Sequence, residues 1–261
     1  AQWLGMGRRL IERDHGFAET IERCSAALGA HARWSLVDVL RRGEDAAALQ
    51  RTDMVQPLLV ALQIGLVATW QRLGVEPDVV LGHSVGEIAA AHTAGVLSLE
   101  SAMRLAFHRG RLMHEATGQG AMLAVGLREA EVAPLLAAHE GAVSVGAVNG
   151  PRSLVLSGAP AAIDAIAGEL GRRGVFCRSL GVSYAFHSPQ MAPYAAELTR
   201  VLDHLSVNPL ARAMASTVTG SIAAAGTPGE RFDAGYWGRN VREPVRFADA
   251  VAGCVAAGHR A

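Results

Sequence analysis

The order of apolar and polar positions along the chain predicts alternating helices and strands. A charged, amphipathic stretch predicts a helix over residues 8–30, and residues 33–50 predict one or two shorter helices broken at Gly43. Pro57 suits the first position of a long helix that carries leucines at helical spacing. An apolar run then predicts a strand over residues 79–81, and a run of small residues after it predicts another helix.

Residues 121–183 follow a different pattern, in which strands and helices alternate in the order β-α-β-β-α-β. The predicted segments are strand 121–126, helix 129–139, strand 142–148, strand 153–157, helix 161–172 and strand 175–180. This order is typical of ferredoxin-like domains. The chain is therefore predicted to be an α/β protein with a small subdomain at 121–183 inserted into a larger unit formed by residues 1–120 and 184–261.

The sequence G-H-S-V-G at residues 82–86 lies between the predicted strand and the predicted helix. This is the G-x-S-x-G nucleophile-elbow pattern, in which the serine occupies a sharp turn and projects its hydroxyl from the sheet. The backbone N–H of Val85 would point toward an oxyanion formed on an acyl group carried by Ser84. The pentapeptide is also common in proteins where it does no chemistry, but its flanking strand and small-residue helix favour the catalytic interpretation.

Arg109 lies on a helix that Ser98 is predicted to cap. At 100° per residue it shares a face with Ala102, Ala106 and Met113, so we expect it to point inward. A buried guanidinium is costly unless it meets an anion. The anion is either an internal Asp or Glu or the carboxylate of a substrate, and the spacing does not decide between them.

His187 follows Y-A-F at 184–186, where the chain leaves the predicted small subdomain and a helix begins at Ser188-Pro189. A short loop at an element boundary is a common place for a catalytic residue. The chain has 10 histidines, so a surface or structural role is the alternative for any one of them.

Composition narrows the classes of function. A hydrophobic content of 50% with 18% charged residues is typical of a globular protein, and a net charge of zero argues against nucleic acid or an anionic membrane as partner. The chain contains no lysine, which excludes Schiff-base chemistry. The three cysteines are far apart and lack metal-ligand spacing, so we expect reduced thiols and no metal site.

No signal peptide and no uninterrupted apolar run of about 20 residues is visible, so we expect a cytoplasmic protein that does not span a membrane. The chain opens on Ala1 as though within a loop, and it stops at Ala261 just past a helix that Gly258 would end. We therefore expect that it is truncated at both ends.

Six segments together resemble the acyltransferase domain of modular polyketide synthases and, more broadly, the malonyl-CoA:acyl carrier protein transacylases. They are Q-W-L-G-M-G at 2–7, G-H-S-V-G-E at 82–87, H-R-G at 108–110, A-V-N-G-P at 147–151, Y-A-F-H-S at 184–188, and the stretch 240–247. The resemblance covers essentially the whole chain. It implies an α/β-hydrolase-like large subdomain with the ferredoxin-like insertion.

The resemblance also implies roles for single residues. Ser84 matches the nucleophile, His187 its general base and acid, and Arg109 the arginine that pairs with the free carboxylate of a malonyl-type unit. Asn240 matches the residue whose backbone carbonyl holds the histidine tautomer. Two further residues, Asn149 and His83, are expected to line the site without an assigned role.

The resemblance implies a substrate and partners as well. The substrate would be malonyl-CoA or methylmalonyl-CoA, and the acceptor the phosphopantetheine of an acyl carrier protein, beside neighbouring domains such as a ketosynthase. No cofactor is expected in this domain. The family's second oxyanion donor is a glutamine in a Gly-Gln-Gly segment placed before the start of this chain, and Gln2 is not that residue.

The markers of extender-unit choice conflict. Tyr184 is typical of loops that go with methylmalonyl units, and Phe186 of loops that go with malonyl units. Because Phe fills space that a smaller residue would leave for an α-methyl group, malonyl is favoured. Two other functions remain open: a serine esterase or acyl hydrolase that uses Ser84 and His187, and a catalytically silent interaction domain.

Overall fold

The computed structural model of the chain describes residues 2–42, 50–139 and 141–260, so the break predicted at Gly43 lies outside the described residues. Contacts between residues divide the chain into two compact units. The first comprises residues 1–114, 201–215 and 223–233, and the second comprises residues 115–200, 216–222 and 234–261.

The described helices are numbered in chain order. They are α1 Arg8–Arg13, α2 His15–Gly29, α3 Leu36–Arg42, α4 Thr52–Arg72, α5 Gly86–Thr93, α6 Leu99–Glu115, α7 Glu129–Ala137, α8 Pro160–Arg172, α9 Ala192–Val201, α10 Ala234–Arg242 and α11 Phe247–Ala256. The described strands are β1 Val79–Leu81, β2 Ala121–Val125, β3 Val143–Gly150, β4 Ser153–Gly158, β5 Cys177–Ser179, β6 Ala213–Ser216 and β7 Ser221–Ala223.

The amphipathic stretch predicted as one helix over residues 8–30 is two helices, α1 and α2. The chain is extended at Asp14, with φ −117° and ψ 101°, and the Asp14 carboxylate accepts a hydrogen bond of 2.9 Å from the backbone N–H of Phe17. This is an N-cap, which satisfies one of the unpaired donors at the start of α2. The prediction of a single helix is therefore wrong at this residue.

Helix α4 begins earlier than predicted, at Thr52, and Pro57 lies inside it. The turn before Pro57 is held by Arg51, whose carbonyl accepts from the N–H groups of Met54 and Val55. Further along, α4 packs closely on α2, because a Cβ at Gly65 would lie 2.7 Å from the Phe17 ring. The absence of a side chain there lets a fully buried phenylalanine sit against the helix backbone.

By length and composition α4 could cross a membrane, although the apolar pattern of the sequence predicts no spanning segment. However, 61% of its most apolar 18-residue window is buried inside the protein. Core helices of soluble proteins pass the same test. The burial therefore identifies α4 as a core helix of the first unit.

The strand that leads to the predicted elbow is β1, and it pairs with β6 in parallel, Val79 opposite Ala213 and Leu81 opposite Ala215. The sheet has the order β1-β6-β7, so β1 is an edge strand. Helix α5 packs beside it, and α4 packs against α5. The arrangement places the residues after Leu81 at the carboxyl end of a parallel strand, where α/β proteins place functional groups.

The second unit contains the predicted β-α-β-β-α-β arrangement. Its four strands are antiparallel in the order β3-β4-β2-β5, and α7 and α8 connect them. The sheet and helices share a buried apolar cluster that includes Leu123, Leu156, Ile163 and Ile166. The fold is therefore α/β with a ferredoxin-like subdomain, as predicted.

The second unit extends beyond residues 121–183, the boundaries predicted for the small subdomain. Val245 accepts from the N–H of Val148 at 2.8 Å and donates to the carbonyl of Gly146 at 2.9 Å. These bonds attach the chain between α10 and α11 to the edge strand β3, and α11 packs against that strand.

The helix predicted to begin at Ser188-Pro189 is two elements in the structure, a short 3-10 helix, Pro189–Met191, followed by α9. The Ser188 hydroxyl caps neither, because it donates to the carbonyl of Ala185 at 2.6 Å. That bond stabilises the loop at 184–187 in a tight turn.

Candidate active site

Ser84 occupies a strained turn between β1 and α5. Its φ is 55°, in the left-handed region that residues other than glycine seldom adopt. A Cβ at Gly82 would lie 2.1 Å from the carbonyl carbon of Gly86 and 2.3 Å from the N of Glu87. Only glycine fits at residue 82, and the strand and helix approach as closely as a nucleophile elbow requires.

The turn continues directly into α5. The N–H of Gly86 donates to the carbonyl of His83 at 3.0 Å, and the N–H of Glu87 donates to the carbonyl of Ser84 at 3.1 Å. In the described part of the chain, the N–H of Val85 donates no hydrogen bond. It lies at the positive end of the helix dipole, so it has the properties of an oxyanion donor.

Arg109 lies on α6 and is 1% exposed, as its helical face predicts. Its Nη1 donates to Oε1 of Gln56 at 2.7 Å, and its Nη2 donates to Oγ of Ser84 at 2.9 Å. Burial lowers the pKa of Arg109 to about 9, and the negative charge of the buried Glu87 opposes that shift. The guanidinium therefore stays charged at neutral pH and is directed at the candidate nucleophile.

Gln56 is a candidate site residue that no sequence motif indicates. It lies on α4, is 5% exposed, and donates from Nε2 to Sδ of Met113 at 3.2 Å while its Oε1 accepts from Arg109. Both groups of the amide are thus used to fix the guanidinium. The signal in the sequence is a polar residue within the apolar run 54–62, where a polar group must find a buried partner.

His187 lies in the second unit and has a φ of 59°. Its backbone N–H donates to the carbonyl of Val241 at 3.2 Å, and its ring Nδ1 lies 3.1 Å from the carbonyl oxygen of Glu243. A carbonyl only accepts, so Nδ1 carries the proton. In a neutral ring Nε2 is then the unprotonated nitrogen that a general base needs.

The carbonyl that fixes this tautomer is that of Glu243. The role predicted for the backbone carbonyl of Asn240 stays a prediction. Asn240 is a buried residue of α10. Glu243 lies just past the end of that helix, and Pro244 after it cannot continue the helical hydrogen bonds. The Glu243 carbonyl is therefore one of the groups at a helix end that remain available to a side chain.

The two predicted selectivity residues stack on each other. The rings of Tyr184 and Phe186 have centroids 3.6 Å apart and planes 10° apart, and Phe186 is buried. A Cβ at Gly120 would lie 2.4 Å from the N of Ala185, so the loop rests directly on the backbone before β2. The aromatic pair is thus held in one place by the second unit.

The remaining predicted residues line two surface hollows. His83 is exposed and lines a groove of about 760 Å³ along β1, together with Leu66 and Trp70 of α4. Asn149 lines a hollow of about 490 Å³ in the second unit, beside Phe247. Neither residue is assigned a role by these positions.

Within the first unit the structure brings together Ser84, Arg109 and Gln56. Within the second unit it brings together His187 and the carbonyl of Glu243. Among the described residues there is no group of three or more His, Cys, Asp or Glu side chains that could hold a metal ion.

The chain is similar in sequence to known proteins. A family model described as "Acyl transferase domain" matches residues 1–261. Erythronolide synthase EryA2 of Saccharopolyspora erythraea is 42% identical over 261 residues, and polyketide synthase GfsE of Streptomyces halstedii is 46% identical over 252 residues. These matches cover 100% and 95% of this chain but only 7% and 6% of the two relatives.

Solved structures share the fold. The acyltransferase domain from module 8 of the salinomycin polyketide synthase is 39% identical, with a TM-score of 0.93 over 99% of this chain and 60% of that one. The malonyl CoA-acyl carrier protein transacylase of Clostridium perfringens is 25% identical, with a TM-score of 0.88 over 99% of this chain and 80% of that one.

Proposed function

The chain belongs to the acyl transferase domain family, as an acyltransferase domain of the kind found in polyketide synthases, and from this premise we propose its reaction. It transfers a malonyl-type extender unit from CoA to the phosphopantetheine thiol of an acyl carrier protein, through an ester on Ser84. The observation that carries the proposal is the buried guanidinium of Arg109, 2.9 Å from the Ser84 hydroxyl.

That distance suits a dicarboxylic acyl group. In a malonyl ester of Ser84 the free carboxylate carbon is separated from Oγ by only two carbon atoms, so the carboxylate comes within reach of the same guanidinium. Arginine binds carboxylates with two parallel, charge-assisted hydrogen bonds. An esterase that acts on neutral esters has no use for a buried cation at this point.

In the first half-reaction His187 removes the proton from Ser84 as Oγ attacks the thioester carbon. The oxyanion accepts a hydrogen bond from the N–H of Val85. The C–S bond then breaks, and the thiolate of CoA takes the proton from His187. The Nδ1–H bond to Glu243 keeps the ring in the tautomer that accepts and returns this proton at Nε2.

In the second half-reaction the phosphopantetheine thiol of the carrier protein gives its proton to His187 and attacks the acyl ester. The new C–S bond forms, the C–Oγ bond breaks, and Ser84 recovers its proton. Water must be kept from the ester in the interval, because hydrolysis competes with transfer.

The proposed extender unit is malonyl in preference to methylmalonyl. Phe186 is buried and its position is supported by the stacked ring of Tyr184, so its bulk does not move aside easily. Exclusion of one methyl group changes the relative activation free energy of two substrates by about 1–3 kcal/mol. Selectivity should therefore be a preference and not an absolute choice.

The domain would act in the cytoplasm, beside a ketosynthase and other synthase domains.

The test is mass spectrometry of the acyl-enzyme after incubation with equal amounts of acetyl-CoA, malonyl-CoA and methylmalonyl-CoA. The expected result is a malonyl adduct on Ser84, a smaller methylmalonyl adduct, and neither in Ser84→Ala. Rapid hydrolysis of neutral esters without an adduct would identify an esterase. The absence of any adduct, also in a form extended at its N-terminus by the Gly-Gln-Gly segment of the family, would identify a silent interaction domain.

A further inference from the structure

The unloaded site contains a contact that carboxylate binding alone does not explain. The Nη2 of Arg109 donates a hydrogen bond of 2.9 Å to Oγ of Ser84, the atom that must attack the substrate. A serine oxygen has one proton to give and two lone pairs that accept. One of these lone pairs is occupied by a charged donor, which makes a stronger hydrogen bond than a neutral one.

We propose that Arg109 restrains Ser84 in the unloaded domain, and that the carboxylate of the substrate releases the serine by taking the guanidinium donor for itself. This inference rests on the proposed function and deepens it. It adds a second source of selectivity: acyl groups that lack a carboxylate leave the restraint in place. Such groups are disfavoured even when they fit.

The physical reason is the change that Oγ undergoes during attack. Its electron density moves into the new bond to carbon, so it accepts a hydrogen bond less well in the transition state than in the free serine. An interaction that is stronger in the ground state slows the chemical step. A carboxylate compensates by offering two oxygen acceptors to the same guanidinium.

The guanidinium is held in the restraining position by its surroundings. Oε1 of Gln56 accepts from Nη1 of Arg109 at 2.7 Å, and Nε2 of the same amide donates to Sδ of Met113. Glu87 is fully buried, and its charge favours the protonated form of Arg109. The donor directed at Ser84 is therefore built into the first unit and is not a chance rotamer of a surface side chain.

The test uses methanesulfonyl fluoride, a small electrophile with no carboxylate. The Ser84 oxygen forms a bond to sulfur, the S–F bond breaks, fluoride leaves, and the serine proton passes to His187 and then to solvent. The rate of this modification is followed by intact-mass spectrometry in the full chain and in Arg109→Met. Arg111→Met, a half-exposed arginine of the same helix, is the matched control.

We expect Arg109→Met to be sulfonylated about 10- to 150-fold faster than the unaltered chain, the range that corresponds to the loss of one charged hydrogen bond. The same variant should lose malonyl loading, and Arg111→Met should change neither rate. If Arg109→Met does not fold because Glu87 is left buried and charged, the double variant Glu87→Gln/Arg109→Met removes both charges and is measured in its place.

A sulfonylation rate that is unchanged or lower in a folded variant would overturn the restraint. That outcome is independent of the proposed function, which is tested by the malonyl adduct on Ser84 of the unaltered chain. An unaltered chain that is sulfonylated but never malonylated would refute the function, and it would remove the substrate-release half of the inference with it.

Discussion

Replacement of Gln56 by leucine tests whether the buried amide positions Arg109. In Gln56→Leu the Nη1 of Arg109 loses its acceptor at 2.7 Å, and the guanidinium is only 1% exposed, so bulk solvent is a poor replacement for that acceptor. Loss of a hydrogen bond to a charged group costs about 1.5–3 kcal/mol. Leucine itself suits the apolar surroundings on α4, so the loss falls on the arginine and not on local packing.

The expected effect on catalysis is selective. If the whole loss appears in the transition state for malonyl transfer, kcat/KM for malonyl-CoA falls about 10- to 150-fold. The slower reaction with acetyl-CoA should not fall, because it does not use the guanidinium as an anchor, and it should rise to the extent that the variant loosens the hydrogen bond from Arg109 to Ser84. The unfolding temperature should fall by about 3–12 °C, since about 1 kcal/mol corresponds to about 2–4 °C in a domain of this size.

Two further variants sharpen the assay. Gln71→Leu, near the carboxyl end of the same helix and bonded to the exposed Glu76, should retain malonyl loading. Gln56→Glu should also lose loading, because its carboxylate competes with the substrate for Arg109, but it should be more stable than Gln56→Leu. The positioning role is refuted if folded Gln56→Leu keeps malonyl kcat/KM within threefold of the unaltered chain.

The remaining predictions concern the elbow, the thiols and the pH dependence of stability. Gly82→Ala should destabilise the fold by about 1–3 kcal/mol or more and abolish loading, because the added Cβ would lie 2.1–2.3 Å from backbone atoms. In Gly86→Ala the added Cβ meets only Gln63, at 3.6 Å, so this control should fold. Equal unfolding temperatures for the two variants would contradict the prediction. Burial raises the pKa of Cys24 to about 12, which leaves a thiolate fraction of about 10⁻⁴ at pH 8. Iodoacetamide should therefore label the half-buried Cys177 in the native chain but Cys24 only after denaturation, and peptide mass spectrometry would detect the difference. The N–H of Phe17 and the charge of Arg72 hold the pKa of Asp14 below 3.8, so the stability lost in Asp14→Ala should be constant above about pH 5 and should shrink as the pH falls through the folded-state pKa. A difference in unfolding midpoint that does not shrink as the pH falls below 3.8 would disprove the assignment.

The parts of the structure that the sequence predicts well depend on local signals. The elbow at Ser84 and the inward face of Arg109 follow from a short motif and from helical spacing, and both need only neighbouring residues. Gln56 is different, because its partner Arg109 is 53 residues away and no local pattern pairs the two. The orienting carbonyl depends on the residue at which α10 ends, and helix ends are the least predictable feature of a sequence. The interruption at Asp14 was predictable in principle, since aspartate is a preferred N-cap.

Backbone strain supports the choice of catalytic pair by an argument that does not depend on resemblance. Among the described residues, the positive φ values outside glycine are those of Ser84, at 55°, and His187, at 59°. Each costs about 1–3 kcal/mol and persists only where the surrounding structure determines it. At Ser84 the close approach at Gly82 does so, and at His187 the carbonyls of Val241 and Glu243 do. If these two residues are the proposed nucleophile and the proposed base, one requirement explains the strain at both, the fixed direction of a reacting atom.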